Sequence, residues 1–407
     1  MILRARSIVT MDGPPIENGA VVIDGNRISA VGEWSKIKTR HAGEVSDLGE
    51  NVLLPGLINA HCHLAYTSLR GKIPRPGSFT EWARAMISER DALGEGNYRD
   101  SIAEGFAEAT KFGTTSIANL EASPQILARL PAAPLRTWWF AELIDVRTAL
   151  SVSSPYALLQ DQLEKRADWV GEAGVAPHAP YTASPALYGE AAEISRRENV
   201  LLTTHLAESR DEMRMFRDGE GPLFDFMKSV GRPMSDCGLE TPLAYVRTRT
   251  PIDSRWIVAH LNELTEDDFL SLARADRFHV VHCPRSHRYF GHTPFAFARL
   301  RDLGFNISLG TDSLASNDDL SLFGEMRAFL ERAPEVSPEE AFSMVTLNPA
   351  LALGQAKALG RISPHFYADL IAIPFDSAGT QLFDHVVTYE GEVPFSMVNG
   401  RVIHNPF

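Results

Sequence analysis

The chain has 407 residues, 44% of them hydrophobic and 22% charged, with a formal net charge of −13. That length suits a large α/β barrel or two to three smaller units, and the composition is that of a folded protein rather than a disordered one. An acidic balance without a long Lys/Arg block argues against nucleic acid and anionic membrane surfaces as partners.

In chain order, residues 1 to about 50 read as short strands and turns: "SIVTMDG", then "GAVVIDGNRISAVG", with turn signals at Asp24-Gly25 and Gly32. Eight apolar runs follow: "GLINAHCHLA", "GTTSIANL", "LRTWWFAEL", "AGVAPHAPY", "NVLLTTHLAE", "RWIVAHLNEL", "FHVVHCPRSH" and "FNISLGTDS". Several are nearly continuous in apolar character, as parallel strands covered on both faces should be. Helix-like segments separate them. In "YRDSIAEGFAEATKFG", Ile102, Phe106, Ala109 and Phe112 recur at four- and three-residue steps, and Gly113 is a stop. The last 45 or so residues return to strands and a turn at Asn399-Gly400. The expected fold is α/β: a (β/α)8 TIM-type barrel over residues 55–357, with a small β-sandwich domain assembled from residues 1–54 and 358–407.

Three cysteines, Cys62, Cys237 and Cys283, are too few and scattered for a disulfide framework or a thiolate zinc knuckle. With no apolar run of secretory or membrane-spanning length, a soluble protein of the reducing cytoplasm is expected.

The stretch "LLPGLINAHCHLAYTSLRG" puts His61 and His63 two apart, so on an extended strand both imidazoles face one way and Cys62 the other. Chance alone yields ~0.4 His-x-His pairs in a chain of this histidine content, so the pair means little by itself. Other ionisable residues, however, recur at the same place in later units: His178 at the fourth strand's end, His205 at the fifth, His260 at the sixth and Asp312 at the eighth. The carboxyl ends of barrel strands converge on one face. Three imidazoles and a carboxylate suit a zinc-like divalent ion that keeps a position open for water and makes it a hydrolytic nucleophile near neutral pH. Glu208, three residues after His205, is placed to move protons to or from a substrate atom. His260 is read either as a hydrogen-bonding partner of the nucleophile or as another ligand. Cys62 and Cys283 read as small buried packing residues.

The segments "PGLINAHCHL", "HAPYTASP", "THLAES", "VAHLNEL", "HCPRSH", "LGTDSLASN", "ADLIAI" and "MVNGRVI" together resemble the amidohydrolase superfamily, specifically its mononuclear metal-dependent deaminase branch. The resemblance spans nearly the whole chain. It implies that His61, His63, His205 and Asp312 hold one divalent metal ion, Zn2+ foremost, with Fe2+ or Mn2+ tolerated by the same ligands. It further implies that Glu208 shuttles a proton to a ring nitrogen, that His260 orients the nucleophile and that Asp312 accepts its proton. Binuclear relatives bridge two metals with a fourth-strand lysine, and "AGVAPHAPYT" has none. Glu142 in "WWFAELID" could bridge instead, or could simply be hydrogen-bonded at the barrel mouth.

The runs "HCPRS" and "ESRDEM" look most like aminodeoxyfutalosine deaminases, which act on the adenine ring of a modified nucleoside. "SFTEWARAMISERDAL" resembles the segment that supplies a ribose-facing carboxylate in S-adenosylhomocysteine and methylthioadenosine deaminases, with Glu89 and Asp91 both open for that role. His287 departs from these relatives, standing where asparagine is expected. The substrate-binding candidates are His178, which either faces substrate or packs in a loop; Trp82, which either stacks on a base or anchors its loop; and Arg285, which either meets a substrate carboxylate or forms an ion pair. The implied function is hydrolytic deamination of an aminated purine moiety, an adenine nucleoside derivative, with release of ammonia. Alternatives on the same scaffold are guanine-type deamination, formimino hydrolysis, triazine dechlorination and a non-catalytic scaffold role. The expected partner is a small-molecule substrate, and a homodimer is common for such barrels.

Overall fold

The apolar runs form eight parallel strands: β1 (Leu57–Cys62), β2 (Thr114–Glu121), β3 (Arg136–Leu143), β4 (Gly171–Pro177), β5 (Leu202–Leu206), β6 (Trp256–His260), β7 (His279–His282) and β8 (Asn306–Leu309). The computed structural model describes residues 1–146, 150–166, 168–375 and 381–405. Residues 376–380 and 406–407 of the predicted β domain, and 147–149 and 167 of the predicted barrel, lie outside the described residues. Each barrel strand pairs with its sequence neighbour, and a parallel bridge between Cys62 and Asp312 joins β1 to the segment after β8.

The strands are shorter than the apolar runs because turn chemistry cuts them off. In "FHVVHCPRSH" the strand stops at His282, and Pro284 opens a helix, Pro284–Phe290, from a position where its missing N–H costs nothing. The helix predicted from "YRDSIAEGFAEATKFG" runs Glu95–Lys111 and buries Ile102, Phe106 and Ala109. Phe112 falls just past its end, and Gly113 takes φ +81°, where a side chain would be strained and would meet Val393 and Ile371.

The two chain ends form one mixed sheet. Its order is Arg401–His404, Phe395–Val398, Leu370–Pro374, Asn51–Pro55, Ile2–Ile8, Ile16–Asp24, Arg27–Glu33, with Val45–Asp47 also on Ile2–Ile8. Asn51–Pro55 runs antiparallel to Leu370–Pro374, so the strand leading into the barrel is paired with a strand that returns from it. Alternation sorts the side chains: Leu3, Val21, Leu53, Leu370 and Phe395 share one core, while Ile2, Ala20 and Val22 pack on Ile37 of the helix Trp34–Arg40.

A buried ion pair ties this sheet to the barrel. Arg136, at the start of β3, donates to both oxygens of Asp369 at 2.9 and 3.2 Å and lies over the Tyr367 ring. Asp369 also accepts the Asn399 backbone N–H at 2.7 Å. Removing one partner leaves a buried charge unpaired, so Asp369→Ala should cost about 3–5 kcal/mol, whereas the apolar double replacement Arg136→Met/Asp369→Leu should cost less. Denaturant unfolding of the three proteins measures the difference.

Candidate active site

Five imidazoles and two carboxylates converge at the carboxyl ends of β1, β4, β5, β6 and β8. His61 lies within β1 and His63 just after it; their rings stand 5.0 Å apart, each 4.9–5.2 Å from that of His205 in β5. The two histidines share a face, as period-two geometry requires. Cys62 turns the other way, into a cluster with Leu64, Ile102 and Ile117. His178 follows β4, His260 ends β6, and Asp312 lies three residues beyond β8.

The ring nitrogens are arranged for a cation. Both nitrogens of His61 are buried with no hydrogen-bond partner. His205 Nδ1 lies 2.9 Å from the His178 carbonyl, which can only accept, so its proton sits there and Nε2 is left with a bare lone pair. That Nε2 faces His63 Nε2 at 3.1 Å. Asp312 Oδ1 is 3.8 Å from Nε2 of both His61 and His63. Burial, reinforced by neighbouring imidazoles, pushes His61, His63 and His178 well below the usual histidine range, and burial lowers His205 and His260 as well. Neutral imidazole is the ligating form. Donor atoms of His61, His63 and His205 lie within 4.8 Å of one another, as do those of Glu208, His260 and Asp312. The residues present therefore fit a divalent metal ion.

The carboxylates are held from behind. Ser286, on the helix after β7, donates to Asp312 Oδ2 at 2.7 Å, and the Ser313 backbone N–H donates to Oδ1 at 2.8 Å. Glu208 is clamped through its backbone: its N–H and that of Ala207 donate to Glu212 at 2.7 and 3.1 Å, and Asn262 donates to its carbonyl at 2.9 Å. Three residues here, Ala207, His260 and Asp312, have left-handed backbones with φ of +50°, +78° and +56°. For residues with side chains this is a strained conformation that the surrounding hydrogen bonds must enforce. Burial, with the charges of Asp312 and Glu212 adding, raises Glu208 well above the ordinary glutamate range, which favours its protonated form.

A cleft of about 810 Å³ opens over these groups. His63, His178, His205, Glu208 and Asp312 line its floor, and its walls are Phe79, Trp82, Met86, Ile87, Leu223, Phe226 and Met227. Trp82 faces the cleft half-buried, its indole N–H donating to the Ala315 carbonyl at 3.1 Å. It is thus both anchored and available as a wall. Arg285 is not among the residues lining the cleft. Its guanidinium is paired with Asp319 at 2.5 Å and Asp318 at 3.3 Å, the geometry of the ion-pair alternative. Neither Glu89 nor Asp91 lines the cleft; the helix Phe79–Asp91 turns Trp82, Met86 and Arg90 toward it at four-residue steps. That periodicity, counted from Trp82, was the available signal for Arg90. Glu142 Oε1 is buried on the cleft wall without a hydrogen-bond partner, 4.0 Å from His63 Nδ1. Its donor atoms also lie within 4.8 Å of those of His178 and His205.

A barrel with imidazoles and carboxylates gathered at its mouth defines a hydrolase of the metal-site type. The chain belongs to the amidohydrolase family, whose model matches residues 52–403, and it is a hydrolase acting on carbon–nitrogen bonds. It is 30% identical over 377 residues to a 5-methylthioadenosine/S-adenosylhomocysteine deaminase of Syntrophobacter fumaroxidans, covering 89% of this chain and 82% of that one. Its fold is similar to that of Helicobacter pylori aminofutalosine deaminase in complex with methylthio-coformycin (TM-score 0.87, 22% identity, 99% of both chains). It is also similar to that of a zinc-bound adenosine deaminase from Xanthomonas campestris (TM-score 0.82, 23% identity, 99% of this chain and 92% of that one). Among the described residues no helix is long and apolar enough to cross a membrane.

Burial, and then the charge of Glu121, raises Glu142 to about 7, while Arg90 opposes the shift. A carboxyl raised on folding contributes stability below its unfolded value, and that contribution is lost as pH rises through the folded value. In metal-free protein, Glu142→Gln should therefore gain stability relative to the parent at pH 8.5 but not at pH 4. Denaturant midpoints at the two pH values test this.

Proposed function

We propose that this protein is a metal-dependent hydrolytic deaminase of an aminated purine moiety, an adenine nucleoside derivative of the aminodeoxyfutalosine kind, and that it releases ammonia. The observation that carries the reading is a protonatable Glu208 beside His63, His178 and His205 on the floor of an apolar-walled cleft, in one cluster with His61 and His260, whose buried ring nitrogens lack partners. His61, His63, His205 and Asp312 would hold the metal, which supplies the Lewis acidity that makes water a nucleophile near neutral pH.

Glu208 gives its proton to the ring nitrogen beside the amine-bearing carbon, making that carbon electrophilic. His260, whose Nε2 lies 3.7 Å from Glu208 Oε1, orients the attacking water. Asp312 takes one proton from that water and passes it to the departing nitrogen, which leaves as ammonia. The second water proton returns to Glu208 as the carbon–oxygen double bond forms, so the residue is reset. His178 and Trp82 would bound the ring. Arg90, a donor, and Glu142, an acceptor, both line the cleft and suit hydroxyl groups, and the apolar walls suit an uncharged substituent beyond them. The names of the relatives support the adenine ring as the target.

The direct test is ammonia release by metal-loaded protein from adenosine, methylthioadenosine, S-adenosylhomocysteine, aminodeoxyfutalosine, guanine, cytosine and formimino-glutamate. Release from an adenine nucleoside is expected; release from guanine alone would overturn the adenine nucleoside as substrate, and release from none of the purines would overturn the aminated-purine class. Glu208→Gln should keep the metal while lowering kcat by a factor on the order of 10² or more. His63→Ala should lose the metal by elemental analysis.

A further inference from the structure

Glu325 is fully buried on the helix Leu322–Leu330, and the proposed reaction gives it no part. It does not line the cleft. Taking a carboxylate out of water is costly unless its oxygens find donors, and here each oxygen has one. Oε2 accepts the Arg285 backbone N–H at 2.9 Å, and Oε1 accepts the Asn317 side-chain amide at 2.7 Å. The Arg285 guanidinium packs against Gly324, where a Cβ would come within 2.8 Å of its Nη1, so a cation also stands beside this carboxylate.

Both donors sit next to the residues that grip Asp312. Arg285 precedes Ser286 and Asn317 follows Ser316. The two serine hydroxyls, both buried, stand 2.9 Å apart and donate to Asp312 Oδ2 at 2.7 and 3.4 Å. The Asn317 amide also donates to the carbonyl of Thr311, immediately before Asp312, at 2.8 Å. One carboxylate thus joins the helix after β7 to the loop after β8. With Oδ2 held by the serines, Oδ1 is the oxygen turned toward Nε2 of His61 and of His63, 3.8 Å from each.

We propose that Glu325 is a positioning residue for Asp312: by holding the segments that carry Ser286 and Ser316, it fixes which carboxylate oxygen of Asp312 faces the imidazoles. The inference rests on the proposed roles of Asp312 as metal ligand and proton acceptor. The residue type follows from the geometry. A carboxylate offers acceptor oxygens to two N–H donors at once, whereas a glutamine of the same size must turn its NH2 toward one of them and release that segment.

Glu325→Gln, compared with the parent in cobalt-loaded and zinc-loaded protein, tests this. The variant is expected to keep its metal, to shift the visible absorption of cobalt(II), which reports ligand geometry, and to lower kcat for an adenine nucleoside about tenfold or more with KM changed less than about twofold. Asp369→Ala, studied below its unfolding midpoint, is the control for lost stability alone and should leave the spectrum and kcat as in the parent. If Glu325→Gln does not fold, Asn317→Ala, which removes one of the two donors, is expected to give the same changes. A parent-like cobalt spectrum overturns the proposal. So does a parent-like kcat, or a change that Asp369→Ala reproduces. A parent that binds cobalt but deaminates no purine refutes the substrate reading instead, and the spectrum alone then decides for Glu325. A parent that takes up no cobalt overturns both.

Discussion

The carbonyl of His61 accepts the backbone N–H groups of both Thr311 and Asp312 at 3.1 Å, and this seam between the first and last barrel strands fixes everything the site can do. It places a residue from near the start of the barrel beside one 251 positions later only because the intervening strands close the circle. Asn59 reinforces it, donating to Thr311 Oγ1 at 2.7 Å and accepting the Thr311 N–H at 3.2 Å. Gly310 permits the approach: a Cβ there would come within 2.8–3.0 Å of the His61 backbone and Cβ. A larger residue would push β8 away from β1 and separate His61 from Asp312.

The site is unstable by construction, and its surroundings compensate. Five neighbouring imidazoles are stripped of water, which keeps them neutral and leaves several nitrogens unpaired. Left-handed backbones at Ala207, His260 and Asp312 add strain at the ends of three different strands. The restoring contacts lie one layer out. Glu212 gathers the N–H groups of Ala207 and Glu208, Asn262 holds the Glu208 carbonyl, and Ser286 and Ser313 grip Asp312. Precision at the reacting groups thus depends on the hydrogen bonds that hold them from behind.

Much of the architecture was legible because barrel strands are continuous apolar runs and their last residues carry the chemistry. His61, His63, His205, His260 and Asp312 could be placed on one face from strand order alone. What could not be read was side-chain direction beyond the strand ends. Arg285 sits one residue from Ser286, yet Ser286 turns to Asp312 while Arg285 turns to Asp318 and Asp319. His287 also turns from the cleft, its Nε2 donating to the Thr293 carbonyl at 2.8 Å. These outcomes depend on how the helix Pro284–Phe290 is rotated against its neighbours, a tertiary matter that local sequence does not encode.

The same limit explains why Glu142 and Arg90 escaped notice as a pair. They lie on β3 and on the helix Phe79–Asp91, and only closure of the barrel brings both to one cleft. Once there, each constrains the other. Arg90 is partly neutralised by Asp91, to which its Nε and Nη2 donate at 3.0 and 2.8 Å, so it does not form a free anion trap. Glu142 Oε1, buried without a hydrogen-bond partner, is free to accept a hydroxyl. On the proposed reading, a hydroxyl-bearing group would meet both a donor, Arg90, and an acceptor, Glu142, at this one wall.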